Sequence, residues 1–486
     1  MSNDIHNLEP RSLWENFYSL TRIPRPSKNE DNIRTFLAEY GKKLGHETIV
    51  DRAGNVIIRK PATPGMENRK GVILQGHMDM VPQKNSDKQH DFNTDPIEAL
   101  IDGEWVKANG TTLGADNGIG VAAAMAILES TNIPHGPVEV LITTDEETGM
   151  TGAQNLEPGI LKGDILLNLD SEEEGELYVG CAGGIDGTFS FSPKYEPVME
   201  NTVAYQLTVK GLKGGHSGLD INLGRGNANK LLFRLLRHGH KEHGMRIAKV
   251  EGGSLRNAIP REAMAIIVIP ALEKEKFLKC FDRTVKTIQK ELELAEPNFS
   301  FTCSQAIMPT QVIDKGTQEK LINAVYACPN GVIRMSDAFP GVVETSTNLA
   351  NVKMENGKIK VLCLLRSSVD SAKNDLAEMM ACVFELAGAE IQFSGAYPGW
   401  RPNANSPILQ TMKNVYHQKF GHVPEVKVIH AGLECGILGA VYPHWDMISF
   451  GPTIRNPHSP DEKVHIGSVQ LFWDYLLETL KNIPEK

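Results

Sequence analysis

Apolar positions along the chain recur with two periods, one helical and one of strands. Helical spacing runs through residues 9–20 and 28–44, and Ser27 followed by Glu30 gives the second segment a capping-box start. Short β-rich runs follow: NVIIRK (55–60), GVILQ (71–75), VEVLITT (138–144) and DILLNLD (164–170). DRAGN (51–55) reads as a turn, and GADNGIGVAAAMAILES (114–130) begins with turn residues before becoming an Ala-rich helix from about Gly118. Strands alternating with helices predict a mixed or parallel sheet, with ligands held outside its strand ends.

The pattern changes after CAGGID (181–186). From 184 to 395, strand-like runs (203–211, 263–270, 358–368) alternate with amphipathic helices (228–238, 273–293, 373–387). A strand, a Gly- or Ser-containing loop and a helix occur near 203–237 and again near 359–387, which hints at internal duplication. A helix over 405–420, a strand near 425–430 and the loop GPTIRNPHSPDE (451–462) then resume the first style. The prediction is an α/β catalytic domain built from residues 1–183 and 396–486, with helices flanking a mixed sheet. An α+β domain is inserted over 184–395.

Composition narrows the class. A chain of 486 residues exceeds one ordinary core, so two or three domains are expected. The net charge of −10 argues against nucleic acid or an anionic membrane as partner. Seven scattered cysteines without a CxxC pair suit reduced thiols. The start MSNDIHNLEPRSLWENF lacks the basic and apolar regions of a signal peptide, and no apolar run approaches a membrane helix, so a cytoplasmic location is expected.

Candidate chemistry falls where predicted strands stop: His77, Asp116, Glu147, Asp170 and His458. Two imidazoles and three carboxylates suit a pair of borderline divalent ions such as zinc, manganese or cobalt. In GHMDM, Asp79 stands where an orienting carboxylate would hold the ring of His77; a polar strand end is the plain alternative. Asp116 lies in a glycine-flanked turn that either aims a carboxylate or caps the helix. DEETG (145–149) places three carboxylates directly after a buried strand, a costly arrangement unless cations neutralise them. If Glu147 binds metal, Glu146 can act as general base and then as proton donor. A solvated acidic turn is the alternative there. Prolines flank His458 and restrict its loop. The acids of SEEEGE (Glu172, Glu173, Glu174, Glu176) read as a solvated loop, and RHGHKEHG (His238, His240, His243) as a solvated helix end. No GxSxG elbow supports nucleophilic catalysis.

GHMDMVP, GADNGIG, TTDEETGMTGA, NLDSEEEG, GLKGGHSG and RNPHSPDE together resemble the co-catalytic zinc peptidase family of aminoacylases, glutamate-type carboxypeptidases and carnosinases. The resemblance spans essentially the whole chain. It implies that Asp116 bridges two divalent ions, most commonly zinc, with cobalt or manganese as alternatives. His77 and Asp170 would complete one site, and Glu147 and His458 the other. It further implies Glu146 as general base to a metal-bridged water, Asp79 as the group orienting His77, and His216 as an oxyanion-stabilising histidine on a lid formed by the insertion. Asn257, Arg366, Gly432 and Glu434 become candidate substrate contacts. The implied activity is hydrolysis of dipeptides, broad in scope with a preference for Xaa-His, and the insertion could mediate a homodimer. Aminotripeptidase or N-acyl amino acid deacylase activity stays open within the family. A two-metal phosphohydrolase or a non-catalytic binding protein stays open outside it.

Overall fold

Three of the apolar runs are buried at every position: Val72–His77, Val138–Thr143 and Ile165–Asn168. Near-continuous burial is what inner strands need when both sheet faces are covered. The computed structural model, which describes residues 4–486, places them inside an eight-stranded mixed sheet. Its strand order is Glu47–Val50, Val56–Lys60, Val138–Thr143, Val72–His77, Ile165–Asn168, Asp446–Ser449, Glu176–Cys181 and Glu425–Ile429. Val138–Thr143, Val72–His77, Ile165–Asn168 and Asp446–Ser449 run parallel to one another. Their carboxyl ends therefore share one edge of the sheet, where side chains distant in sequence can meet.

Helix Ala115–Glu129 is buried from Ala115 to Leu128, consistent with residues that are small or apolar around its whole circumference. It packs against Arg11–Thr21. The helix expected over 28–44 forms as Asp31–Lys43, but without the capping box. Glu30 accepts from the backbone N–H of Lys28, and the Ser27 hydroxyl donates to Asp79 instead of capping. A polar partner from the carboxyl edge of the sheet has outcompeted the local cap.

The chain folds as two compact units. The first contains the residues up to Gly180, Pro402–Val428 and Leu433–Lys486; the second contains Cys181–Arg401 and Ile429–Gly432. Besides the main sheet, the first unit has a four-stranded sheet in the order Ile454–Arg455, Lys463–His465, Trp105–Ala108, Ala99–Asp102.

The second unit is built on a nine-stranded antiparallel sheet. Helices Ala228–His243, Lys274–Leu292, Lys315–Ala327 and Asp370–Leu386 belong to the same unit. Phe233, Phe277, Leu321 and Phe384 from these helices share a core with alternating strand positions such as Leu207, Val209, Ala265 and Ile267. The period-two spacing of those strand residues puts them on one face. The His-rich end of Ala228–His243 differs from the solvated end expected: His243 is buried and hydrogen-bonds Glu273, while His240 bonds Gln318.

Candidate metal centre

His77 ends its strand with a buried ring. The preceding Gly76 is required by a close approach, since a Cβ there would collide with Asn117 Oδ1. Glu146 and Glu147 follow Val138–Thr143, and Asp170 follows Ile165–Asn168, so three of the parallel strands deliver carboxylate or imidazole to one edge. Asp116 and His458 depart from the expected placement. Asp116 comes from the loop entering helix Ala115–Glu129, through a cis bond to Asn117. His458 comes from the connection between the short strands Ile454–Arg455 and Lys463–His465. It has a left-handed backbone (φ 60°) and a side chain 51% exposed, unlike the buried His77.

These elements gather all five side chains. Asp116 Oδ1 lies 3.0 Å from His77 Nε2, and Asp116 Oδ2 lies 3.2 Å from His458 Nε2. Asp170 Oδ1 stands 3.3 Å from His77 Nε2, and Glu147 Oε2 stands 2.9 Å from His458 Nε2. Ligand atoms arranged tetrahedrally around an ion at ~2.0 Å are themselves ~3.3 Å apart. Two triads result, His77–Asp116–Asp170 and Asp116–Glu147–His458, with ligand atoms within 4.8 Å of one another in each. Glu146 groups in the same way with His77 and Glu147.

Electrostatics favour cations here. Burial, reinforced by neighbouring carboxylates, pushes Asp170 up to about 7 and Glu146 well above the usual carboxylate range, although His77 pulls both down. Bonds to Asp116 and Glu147 raise His458 to about 11. The buried Glu147 Oε1 has no hydrogen-bond partner, and the buried Asp170 Oδ1 has only His77 Nε2, 3.3 Å away. Crowded carboxylates with an unpartnered buried oxygen fit positive ions, which need ligands without their own protons.

Asp79 is fully buried beside His77. Its Oδ1 is 3.4 Å from His77 Nδ1, which also lies 3.2 Å from the Asp79 carbonyl. The same carboxylate accepts from the backbone N–H groups of Glu146 and Glu147 and from Ser27. Burial opposes its charge, yet these donors and His77 hold its pKa at about 2.

Three supporting residues were not singled out by their local sequence, or were given another role. Arg25, fully buried, donates to the carbonyls of Met78, Asp79 and Gly114, clamping the loops that carry His77 and Asp116. Glu462 accepts from four successive backbone N–H groups, those of Leu113, Gly114, Ala115 and Asp116. Only its place in the PHSPDE run, four residues after His458, signals it. Glu434, expected as a substrate contact, is buried, and Oε2 accepts from Gln75 and Thr143. Burial pushes its carboxyl up to about 8, and Oε1 has no partner. The SEEEGE acids are not simply solvated: Glu173 pairs with Arg455, Glu174 accepts from Tyr416, and burial lifts Glu172 to about 7.

Other candidates belong to the second unit. His216 lies in Gly215–His216, paired with Ala258–Ile259. Its Nδ1 accepts from the backbone N–H groups of Gly218 and Leu219, so the ring proton sits on Nε2. Burial and the charge of Arg366 lower its pKa, favouring the neutral ring. Arg366 is buried within Lys358–Ser367; Nη1 donates to Tyr397 Oη and Nε has no partner. Asn257 is exposed, its carbonyl accepting from Ser217. Gly432 packs against the Tyr397 ring. His430, not anticipated, bonds Ser346 through Nε2 and is held neutral by burial and by Arg366, with a pKa of about 3.

Comparison with known proteins agrees with this architecture. The cytosol non-specific dipeptidase of Escherichia coli (strain K12) is 48% identical over 485 residues, covering 100% of both chains. The crystal structure of aminoacylhistidine dipeptidase from Vibrio alginolyticus superimposes with a TM-score of 0.97 at 52% identity, covering 100% of this chain and 99% of that one. A tripeptidase from Staphylococcus aureus shares the fold more loosely, with a TM-score of 0.56 at 17% identity over 98% of this chain and 99% of that one. The model of peptidase family M20/M25/M40 matches residues 73–482. The chain belongs to that family: it is a metallopeptidase of family M20/M25/M40, and its ligand set fits two divalent ions.

Proposed function

We propose that the protein is a cytoplasmic dipeptidase of broad scope with a preference for Xaa-His substrates, working with two zinc ions. The observation that carries its chemistry is Asp116, whose two oxygens each face a different imidazole at 3.0 and 3.2 Å. His77 and Asp170 would hold one ion and Glu147 and His458 the other, with Asp116 placed to serve both. When bound, the ions polarise the scissile carbonyl and make water acidic near neutral pH. Glu146 takes the proton from the attacking water and delivers it to the leaving amine. Asp79 holds His77 in one tautomer and fixes the backbone beneath Glu146 and Glu147.

Glu434 supplies a reason to favour a free amino terminus. Its carboxyl has an unpartnered oxygen, and although burial raises its pKa to about 8, an arriving substrate ammonium favours the ionised form. A substrate ammonium satisfies that oxygen, whereas an N-acyl group leaves it unpaired. His216 donates from Nε2 to the developing oxyanion, and Arg366, Asn257 and Gly432 contact the substrate carboxylate or carbonyl, with the second unit acting as a lid. A homodimer through that unit is part of the proposal. Mixing His216→Ala with Glu146→Ala restores activity if His216 serves a partner's substrate, and leaves both inactive if it acts within its own chain.

The deciding experiment compares Xaa-His dipeptides, tripeptides, N-acyl amino acids and a phosphodiester. Fast turnover of dipeptides alone supports the proposal, and Glu434→Gln then raises KM for dipeptides by about tenfold, the worth of one charge-assisted hydrogen bond. Preferred cleavage of tripeptides, N-acyl substrates or the phosphodiester refutes it.

A further inference from the structure

The second unit carries a cluster outside the peptidase chemistry. His243 ends helix Ala228–His243, and Cys280 lies in helix Lys274–Leu292. Glu242, His243 and Cys280 each offer a ligand atom, all within 4.8 Å of one another. His243 has a side chain only 9% exposed, yet its Nε2 has no hydrogen-bond partner. Glu242 Oε2 is 3.9 Å from that nitrogen, too far for a hydrogen bond. Cys280 is 4% exposed and a free thiol.

The orientation of His243 is set from behind. Its Nδ1 lies 3.2 Å from Glu273 Oε2. Lys276 and His243 hold the Glu273 carboxyl below its ordinary range, so this group is ionised and can only accept. In the neutral ring the proton is therefore on Nδ1, which leaves the unpartnered Nε2 as the nitrogen able to bind an ion. A carboxylate fixing the far nitrogen of an imidazole is the usual support of a metal-bound histidine.

We propose that Cys280 Sγ, His243 Nε2 and a Glu242 oxygen bind a single thiophilic divalent ion of the zinc class, additional to the two of the peptidase centre. Three side-chain ligands leave a fourth tetrahedral position for water. Binding displaces the Cys280 thiol proton to solvent, and the thiolate becomes a ligand. The ion ties the last turn of one helix to the first half of the other. Two neighbours work against it: Arg283 Nη2 donates to Cys280 Sγ at 3.9 Å, and His238 Nδ1 bonds Glu242 Oε1 at 3.2 Å. The first also favours the thiolate, and the second leaves Glu242 Oε2 free for the ion.

Cobalt chloride titrated into chelator-stripped, full-length protein tests this. The proposed peptidase ligands contain no sulfur, so a thiolate-to-cobalt charge-transfer band in the near ultraviolet reports the third ion alone. Three cobalt ions per chain with this band are expected. Cys280→Ser abolishes the band, lowers the stoichiometry to two and leaves peptidase activity unchanged. Glu273→Gln, which keeps the shape of a half-buried side chain and removes its charge, weakens the third ion by about 10- to 100-fold. A wild-type protein without the band, or a band that survives Cys280→Ser, overturns the proposal whatever the outcome of the peptidase assays.

Discussion

Asp116 faces an imidazole through each oxygen, whereas Glu146 stands beside the same cluster without a short bond to either ring. The two residues therefore separate by experiment. Glu146→Ala is expected to keep both metal ions and lose about 10²- to 10⁴-fold in kcat, the usual worth of a general base. Asp116→Ala loses metal as well as turnover. Metal analysis of the two variants checks this, and equal metal loss in both defeats the division of labour. Gly76 offers a test of packing. Alanine there must push Asn117 away, and about 1–3 kcal/mol of destabilisation is expected from a denaturant midpoint. At this scale the sequence was informative wherever charge density contradicted its surroundings. Three acids directly after a buried strand signalled the cluster; Arg25 gave no such sign, because a lone arginine before a proline resembles any surface residue.

Among elements, the loop entering helix Ala115–Glu129 depends on a carboxylate distant in sequence. Glu462 satisfies four backbone N–H groups that have no other acceptor in that loop. Glu462→Ala leaves them buried, at about 1–3 kcal/mol for each unsatisfied group. A fall in stability of at least ~3 kcal/mol is expected, with metal affinity reduced about 10- to 100-fold because the support of a ligand is lost. Thermal unfolding and metal titration measure the two effects. An unchanged metal affinity would show that Asp116 does not rely on this support. Val56–Lys60, Val72–His77, Val138–Thr143 and Ile165–Asn168 were legible because burial makes them nearly continuously apolar, whereas Glu176–Cys181 and Asp446–Ser449 of the same sheet were not anticipated. Helices Lys315–Ala327, Glu434–Val441 and Ile466–Lys481 were not anticipated from apolar spacing. Glu434–Val441 is short and apolar, so its composition alone does not distinguish it from a strand. The capping box failed for another reason: Ser27 had a better partner in Asp79, which local spacing cannot reveal.

For the whole molecule, the separation of ligands along the chain matters most. His77 and His458 approach the same carboxylate from 39 and 342 residues away. Exhaustive chelation is expected to abolish peptide hydrolysis, and restoration by zinc, cobalt and manganese in turn ranks the native ion. Activity that persists in stripped protein rules out a metal-dependent reaction. The five scattered residues that the structure brings together were legible as candidates in the amino-acid sequence because each accompanies a strand end or a glycine- or proline-rich turn. Residues such as His430 were not, since their surroundings are assembled from segments that share no motif.

The connection between Ile454–Arg455 and Lys463–His465 holds both an ion-binding candidate, His458, and the N–H cradle, Glu462. During synthesis, a chain that has not yet emerged past this point has every other ligand but neither of these. The nascent polypeptide therefore lacks a finished candidate centre until this connection has left the ribosome, and fragments that end before it should be inert toward peptides.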